Sequence, residues 1–189
     1  MKRGLLIIMS GPSGVGKGTV RLELMKDPSL KLFYSISMTT RSPRKGETDG
    51  VEYYFVSREE FMKNVEKDNL LEWAEFVGNC YGTPKDKVEE KRNEGYNVLL
   101  EIDVNGTKKL LPKLANDDKF ISIFIAPPSL EELEKRIRGR STESDEVIKN
   151  RLAQCERELK LKDQYKYVVV NDDLNECVEQ IKKIIKENL

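Results

Sequence analysis

Gly11-Pro12-Ser13-Gly14-Val15-Gly16-Lys17-Gly18-Thr19 decides the fold, because it stands directly after the apolar run Leu5–Met9 and directly before the helical stretch Val20–Met25. The pattern is G-x-x-x-x-G-K between a strand and a helix. Its glycines let the chain wrap an anion so that successive N–H groups point inward, the following helix adds its amino-terminal dipole, and Lys17 adds a point charge. All nine residues, Gly11 to Thr19, are therefore candidate ligands of a nucleoside triphosphate. The residue after Lys17 is Gly18, where the pattern ordinarily carries Ser or Thr, and the hydroxyl falls one position later at Thr19. That shift weakens a direct Mg²⁺ ligand in the loop.

Outward from the loop, apolar runs of strand length recur at Phe33–Met38, Val51–Val56, Tyr96–Ile102, Phe120–Ile125 and Tyr167–Val170, with helical patterns between most of them. Ser57 with Glu60 and Ser129 with Glu132 are capping boxes, and Thr83-Pro84 places proline at a first helical position. Strand–helix alternation implies an α/β fold. Leu5–Met9, Phe120–Ile125 and Tyr167–Val170 are apolar enough for a parallel sheet covered on both faces, whereas Val51–Val56 carries Glu52 and suits a separate small sheet. Arg136 to Arg157 is rich in Arg, Lys and Glu and is expected to form a helical hairpin standing away from the core.

Composition narrows the chemistry. The 189 residues carry 33 Lys+Arg against 33 Asp+Glu, a net charge of +0, so a bulk electrostatic nucleic-acid binder is disfavoured. The length suits one domain with a small insertion or two. No apolar run approaches the roughly 18 residues of a membrane span, and Met1 to Met9 is too brief for a signal peptide, so a cytoplasmic protein is expected. Cys80, Cys155 and Cys177 form no C-x-x-C, which removes a disulfide scaffold, a zinc ribbon and a thioredoxin-type site. With no histidine at all, the reaction must use carboxylates, cations, hydroxyls and main-chain amides. The run Asn97–Ile102 delivers Glu101 and Asp103 at its carboxyl end, where a phosphate-loop protein holds Mg²⁺ through water; Thr19 is the nearby hydroxyl. Asp103-Val104-Asn105-Gly106 also matches the D-x-x-G of a GTPase, but no N-K-x-D guanine-reading tetrapeptide accompanies it.

Tyr34 to Glu47 (YSISMTTRSPRKGE), Gly50 to Phe55 (GVEYYF), Glu72 to Phe76 (EWAEF), Gly78 to Pro84 (GNCYGTP), Leu100 to Asp103 (LEID), Arg136 to Glu143 (RIRGRSTE) and Val169 to Asp173 (VVNDD) together resemble the guanylate kinase family, in order and over nearly the whole chain. The resemblance implies a phosphate-loop core with a parallel sheet (residues 1–32, 96–126 and 166–189), an inserted mixed α/β subdomain that binds GMP (33–95) and a helical lid (127–165). It also implies roles. Glu72 matches the carboxylate that accepts from guanine N1–H and its exocyclic amine; Thr83 and Ser37 match hydroxyls that donate to O6, and Asp103 a carboxylate near the base amino group. Arg41, Arg44, Tyr53 and Tyr81 match the cluster that grips the GMP phosphate, with Glu101 beside it. Arg136, Arg140 and Arg151 match lid arginines that close over the triphosphate, and Asn171 and Asp172 fall where the backbone lines the adenine site. Lys17, Arg41 and the three lid arginines would carry the transfer. The implied reaction is phosphorylation of GMP or dGMP by ATP with Mg²⁺, by a monomer or homodimer. Two other readings stand beside it: a catalytically inactive guanylate-kinase-like protein-interaction domain, and a kinase for another nucleoside monophosphate.

Overall fold

Strand β1 (Leu6–Ser10) is buried along its whole length and its alternate residues enter two different cores, which is the signature of a sheet covered on both faces. In this computed structural model, which describes residues 2–76, 78–140 and 144–189 with the side chains of Phe76 and Arg140 excepted, β1 is the centre of a five-stranded parallel sheet. The others are β2 (Leu32–Tyr34), β7 (Asn97–Glu101), β8 (Phe120–Ala126) and β9 (Tyr167–Val170), in the order β2-β7-β1-β8-β9. Ile7 and Met9 pack with Leu99, Ile121, Ile123 and Ile125 beneath helices α1 (Lys17–Met25) and α7 (Leu174–Glu187). Helix α7 supplies Cys177, Ile181 and Ile185, one residue per turn, after Asp173 caps its start by accepting from Glu176 N. On the other face Leu6 and Ile8 pack with Val98, Leu100 and Leu110 of helix α4 (Val104–Leu110) and Val88 of helix α3 (Lys85–Asn93). Each such side chain contributes about 1.5–3 kcal/mol by leaving water. At the amino ends of the strands the fully buried Arg92 ties the layers, donating to Gly4 O at 3.0 Å, Lys119 O at 2.8 Å and Asp117 Oδ2 at 2.7 Å.

The second sheet is mixed: β4 (Tyr54–Phe55), β3 (Met38–Thr39), β6 (Asn79–Pro84) and β5 (Leu70–Phe76), in the order β4-β3-β6-β5. Helix α2 (Arg58–Glu66), capped by Ser57 Oγ accepting from Glu60 N, closes its small core of Phe61, Leu70 and Cys80. Between Leu70 and Trp73, β5 advances three residues while β6 goes back two, from Pro84 to Gly82, so β5 carries a bulge at Leu71 and Glu72.

Several expectations are corrected. Phe33–Met38 is not one strand: β2 stays in the large sheet, Ser35 to Ser37 cross over, and β3 begins the small one. Of Val51–Val56 only Tyr54–Phe55 is strand, since Val51 and Glu52 turn back on Thr48. Pro84 caps α3 from outside and does not occupy its first turn. Tyr167–Val170 is an edge strand with Val168 and Val170 about half exposed (44% and 48%), so one face meets solvent. The hairpin of α5 (Leu130–Arg140) and α6 (Asp145–Leu159) does not stand clear of the core: Leu133, Ile137, Ile148 and Cys155 are buried in the larger cluster. The capping residue Ser129 accepts from Glu132 N as its capping box requires. Ser141, Thr142 and Glu143 lie outside the described residues.

Candidate active site

The loop between β1 and α1 is shaped by close approaches that only glycine permits. Gly16 has φ +98°, and a Cβ there would sit 2.7 Å from Asn171 Nδ2; one at Gly11 would meet Ile125 O at 2.3 Å. Gly16 is also the amino cap of α1, so the helix dipole points into the loop. Lys17 folds back and donates from Nζ to Gly11 O at 2.6 Å and Pro12 O at 2.9 Å, holding its ammonium inside the concavity. Burial pulls the Lys17 pKa down, opposed first by Glu101 and then by Glu158, Cys155 and Asp103. A cavity of about 400 Å³ opens over Ser13, Gly14, Gly16, Lys17, Gly18 and Thr19, with Arg21 and Glu101 at its wall. A concave nest of amides with one lysine is an oxyanion receptor.

A second cavity, of about 640 Å³, lies between the small sheet, α4 and α6. Ser37, Tyr53, Glu72, Tyr81, Glu101 and Asp103 line it, so six of the residues singled out from the sequence converge there. Glu72 is its most constrained acid. It is buried, accepts from Thr83 Oγ1 at 2.7 Å through Oε1, and packs over Gly106, where a Cβ would lie 3.1 Å from Oε2. Burial pushes the Glu72 carboxyl above the ordinary range; the Thr83 hydroxyl draws it partly back, and neighbouring Asp103 raises it again. Asp103 caps α4, its Oδ1 accepting from Gly106 N at 2.6 Å. Thr83 therefore spends its single O–H on Glu72 here and acts on the cavity through that carboxylate, whereas Ser37 faces the cavity directly.

Arg41 and Arg44 share one acid, Glu47. Glu47 accepts from Arg41 Nη2 at 2.9 Å, and the Arg41 guanidinium lies 5.4 Å from the Tyr53 ring and 5.7 Å from Phe55. Tyr53 in turn meets Tyr81 edge to face, at 6.1 Å between ring centres. Arg41, Tyr53 and Tyr81 thus form one cluster at the cavity rim. Arg44 is tied to Glu47 through its backbone, its N–H donating to Glu47 Oε2 at 2.7 Å and its carbonyl accepting from Glu47 N at 3.0 Å, and it is exposed.

The α5–α6 hairpin reaches the phosphate loop. Arg151 Nη2 donates to Ser13 Oγ at 2.9 Å, and Cys155 Sγ lies 3.7 Å from Ser13 O. Arg136 instead donates to Asn171 O at 2.9 Å and pairs with Glu132, which holds it at the rear of the loop. The Arg140 side chain lies outside the described residues. Asn171 is buried and donates to Val15 O at 2.8 Å, so it buttresses the loop from behind; Asp172 beside it is exposed.

Sequence reasoning passed over Arg21, Gln154 and Glu158. Arg21 lies one helical turn after Lys17, the (i, i+4) spacing that puts both on one face of α1. Gln154 and Glu158 share the α6 face of Arg151 and Cys155; Gln154 lines the second cavity and donates to Glu158 Oε1 at 2.9 Å. Helical spacing from a named residue was the available signal in each case. Among the described residues, no group of three or more acids or cysteines could cage a metal ion, and no helix is long and apolar enough to cross a membrane.

Comparison with known proteins points one way. The guanylate kinase family model matches residues 3–188. A guanylate kinase of Mesoplasma florum is 54% identical over 183 residues, covering 97% of this chain and 61% of that protein. The chain thus spans about three fifths of that relative's length, 61%. A guanylate kinase of Bacillus cereus is 53% identical over 187 residues, covering 97% of this chain and 88% of the relative. Among solved structures, a guanylate kinase from Anaplasma phagocytophilum superposes with a TM-score of 0.75 at 34% identity, over 100% of this chain and 88% of the other.

Proposed function

The chain belongs to the guanylate kinase family, and we propose that it transfers a phosphoryl group reversibly between ATP and GMP or dGMP. The observation that carries this is the meeting of two cavities at Glu101, which lines both: one is an amide nest with a buried lysine, the other holds a buried carboxylate fixed by a threonine.

The chemistry follows from the groups present. Guanine offers N1–H and an exocyclic N–H₂ side by side, and Glu72 accepts both; adenine offers an acceptor at N1 and would leave the carboxylate facing a lone pair, a loss of several kcal/mol. Ser37 donates to O6, with Thr83 holding Glu72 in position. Arg41, Tyr53 and Tyr81 hold the acceptor phosphate, and Arg44 joins them as a second fork. That phosphate has a second pKa of about 6, so its attacking oxygen is already ionised near neutral pH. No general base is needed, in keeping with a chain that has no histidine. Catalysis then rests on bringing two polyanions into line and on the charge of Lys17 and Arg151, which Arg136 and Arg140 join as the lid closes.

Mg²⁺ enters with ATP. The donor set suits a hard cation that keeps several waters, since Glu101, Asp103 and the Thr19 hydroxyl are oxygen donors at the junction and Gly18 offers no direct ligand. When bound, it neutralises charge on the phosphates. Residues 33–95 and 127–165 act as the acceptor-binding and lid parts around the core, and both close toward the phosphate loop to exclude water; unchanged small-angle scattering on adding both nucleotides would contradict closure.

The direct test is ADP release from Mg·ATP with GMP, AMP, CMP and UMP in turn, wild type beside Lys17→Ala. Release confined to GMP and abolished in the variant is expected. Binding of GMP without any release would favour an interaction domain instead.

A further inference from the structure

Glu101 lines the first cavity together with two cations, Lys17 and Arg21. It lies at the carboxyl end of β7 and lines both cavities, and it is the first among the acids acting on Lys17. A carboxylate so close to the loop lysine has an obvious partner in it, and an ion pair between them would occupy the one ammonium that phosphates need. The structure shows a different pairing. Arg21 Nε donates to Glu101 Oε2 at 2.9 Å, while Lys17 is bonded to the loop carbonyls of Gly11 and Pro12.

Arg21 is itself held for this task. Its guanidinium lies 4.2 Å from the centre of the Tyr34 ring, a cation–π contact that fixes the plane of the fork. Both partners are mostly sheltered, with side-chain exposures of 25% for Arg21 and 20% for Glu101, so the pair is screened less than an ordinary surface pair. Tyr34 closes β2, Glu101 closes β7 and Arg21 rides on α1, so three separate elements set the geometry.

We propose that Arg21 is a positioning residue that draws Glu101 away from Lys17, keeping the lysine free for the phosphates of the bound nucleotide. Arg21 acts through Glu101 and without touching the nucleotide. The inference rests on the phosphate-loop reading of the first cavity.

Its signature is rescue. With Arg21 neutralised, Glu101 turns to Lys17 and nucleotide phosphates must displace it; with Glu101 neutralised as well, there is nothing to displace. Calorimetric titration of ADP in the presence of Mg²⁺ reads this without turnover. Arg21→Leu, which keeps an apolar contact on Tyr34, is expected to weaken ADP binding roughly tenfold, and Arg21→Lys, which can still pair with Glu101, by about threefold or less. The double variant Arg21→Leu/Glu101→Gln is expected to bind within about threefold of Glu101→Gln alone. Unchanged binding in Arg21→Leu overturns the proposal, as does a double variant in which both losses add, since that pattern means Arg21 touches the phosphates itself. Lys17→Ala serves as the separate control: if it binds ADP like wild type, the phosphate-loop reading fails and the proposal with it.

Discussion

The two cavities are built in opposite ways. The first comes mostly from one stretch, Ser13 to Leu22, joined by Glu101, and its backbone is set by glycines and by the start of α1. The second draws side chains from the crossing after β2, the turn before β4, both strands of a hairpin, the end of β7 and two helices. A site made of backbone reads any polyphosphate; a site made of side chains reads one base. On the proposed function, affinity would reside in the first and discrimination in the second, and substitutions can separate them.

The largest effect is expected at Lys17. Lys17→Ala should lower the rate of ADP formation by about three orders of magnitude, equally for GMP and dGMP, in a coupled assay. A loss that depended on the acceptor would break the division. Next comes Glu72→Gln, expected to cost about a hundredfold in kcat/KM for GMP while ADP affinity measured by calorimetry stays within twofold. Tyr53→Phe should raise KM for GMP by about tenfold with little change in kcat, which initial-rate kinetics would read.

A subtler effect concerns stability. Burial keeps the Glu72 carboxyl above its ordinary range, so the folded state binds its proton at higher pH than the unfolded chain does. Stability contributed at this site is therefore greatest below the unfolded value, falls as pH rises through the folded value, and stays low above it. Without nucleotide, Glu72→Gln should melt about 2 °C above wild type at pH 8, with the gap narrowing toward pH 4, in differential scanning calorimetry. The same titration should weaken GMP binding as pH falls through the raised value, leaving ADP binding less affected. The smallest expected effect on function is at Ser57→Ala, which removes the α2 cap at a cost of about 1 kcal/mol without touching either cavity; thermal melting should register it, and kinetics should not.

The same contrast explains what could be read in advance. The loop was legible because its function needs a fixed local order of glycines and a lysine, and the resemblance supplied the scattered residues of the other cavity. The hairpin of β5 and β6 gave no strand signal: the bulge at Leu71 and Glu72 breaks the two-residue alternation of Leu70–Phe76. The run Phe33–Met38 concealed a change of sheet, since apolar character does not say which neighbour a strand pairs with. The charges of α5 and α6 suggested a solvated hairpin, but four apolar residues per pair of helices suffice to seat it on the core. Arg21 was passed over because its partners, Tyr34 and Glu101, are distant in sequence.

The bulge has a mechanical consequence. In a regular strand, neighbouring residues face opposite ways, yet Leu71 and Glu72 are both turned inward. Leu71 is packed among Leu6, Ile8, Val98 and Leu100 of the five-stranded sheet. The carboxylate next to it is thus fixed in the frame of the large sheet although its strand belongs to the small one. Tyr53, by contrast, lies at the far margin, just before β4, and Arg41 follows β3. Any rotation of the small sheet that leaves Leu71 seated has its fulcrum beside Glu72 and its arm ending at Tyr53 and Arg41.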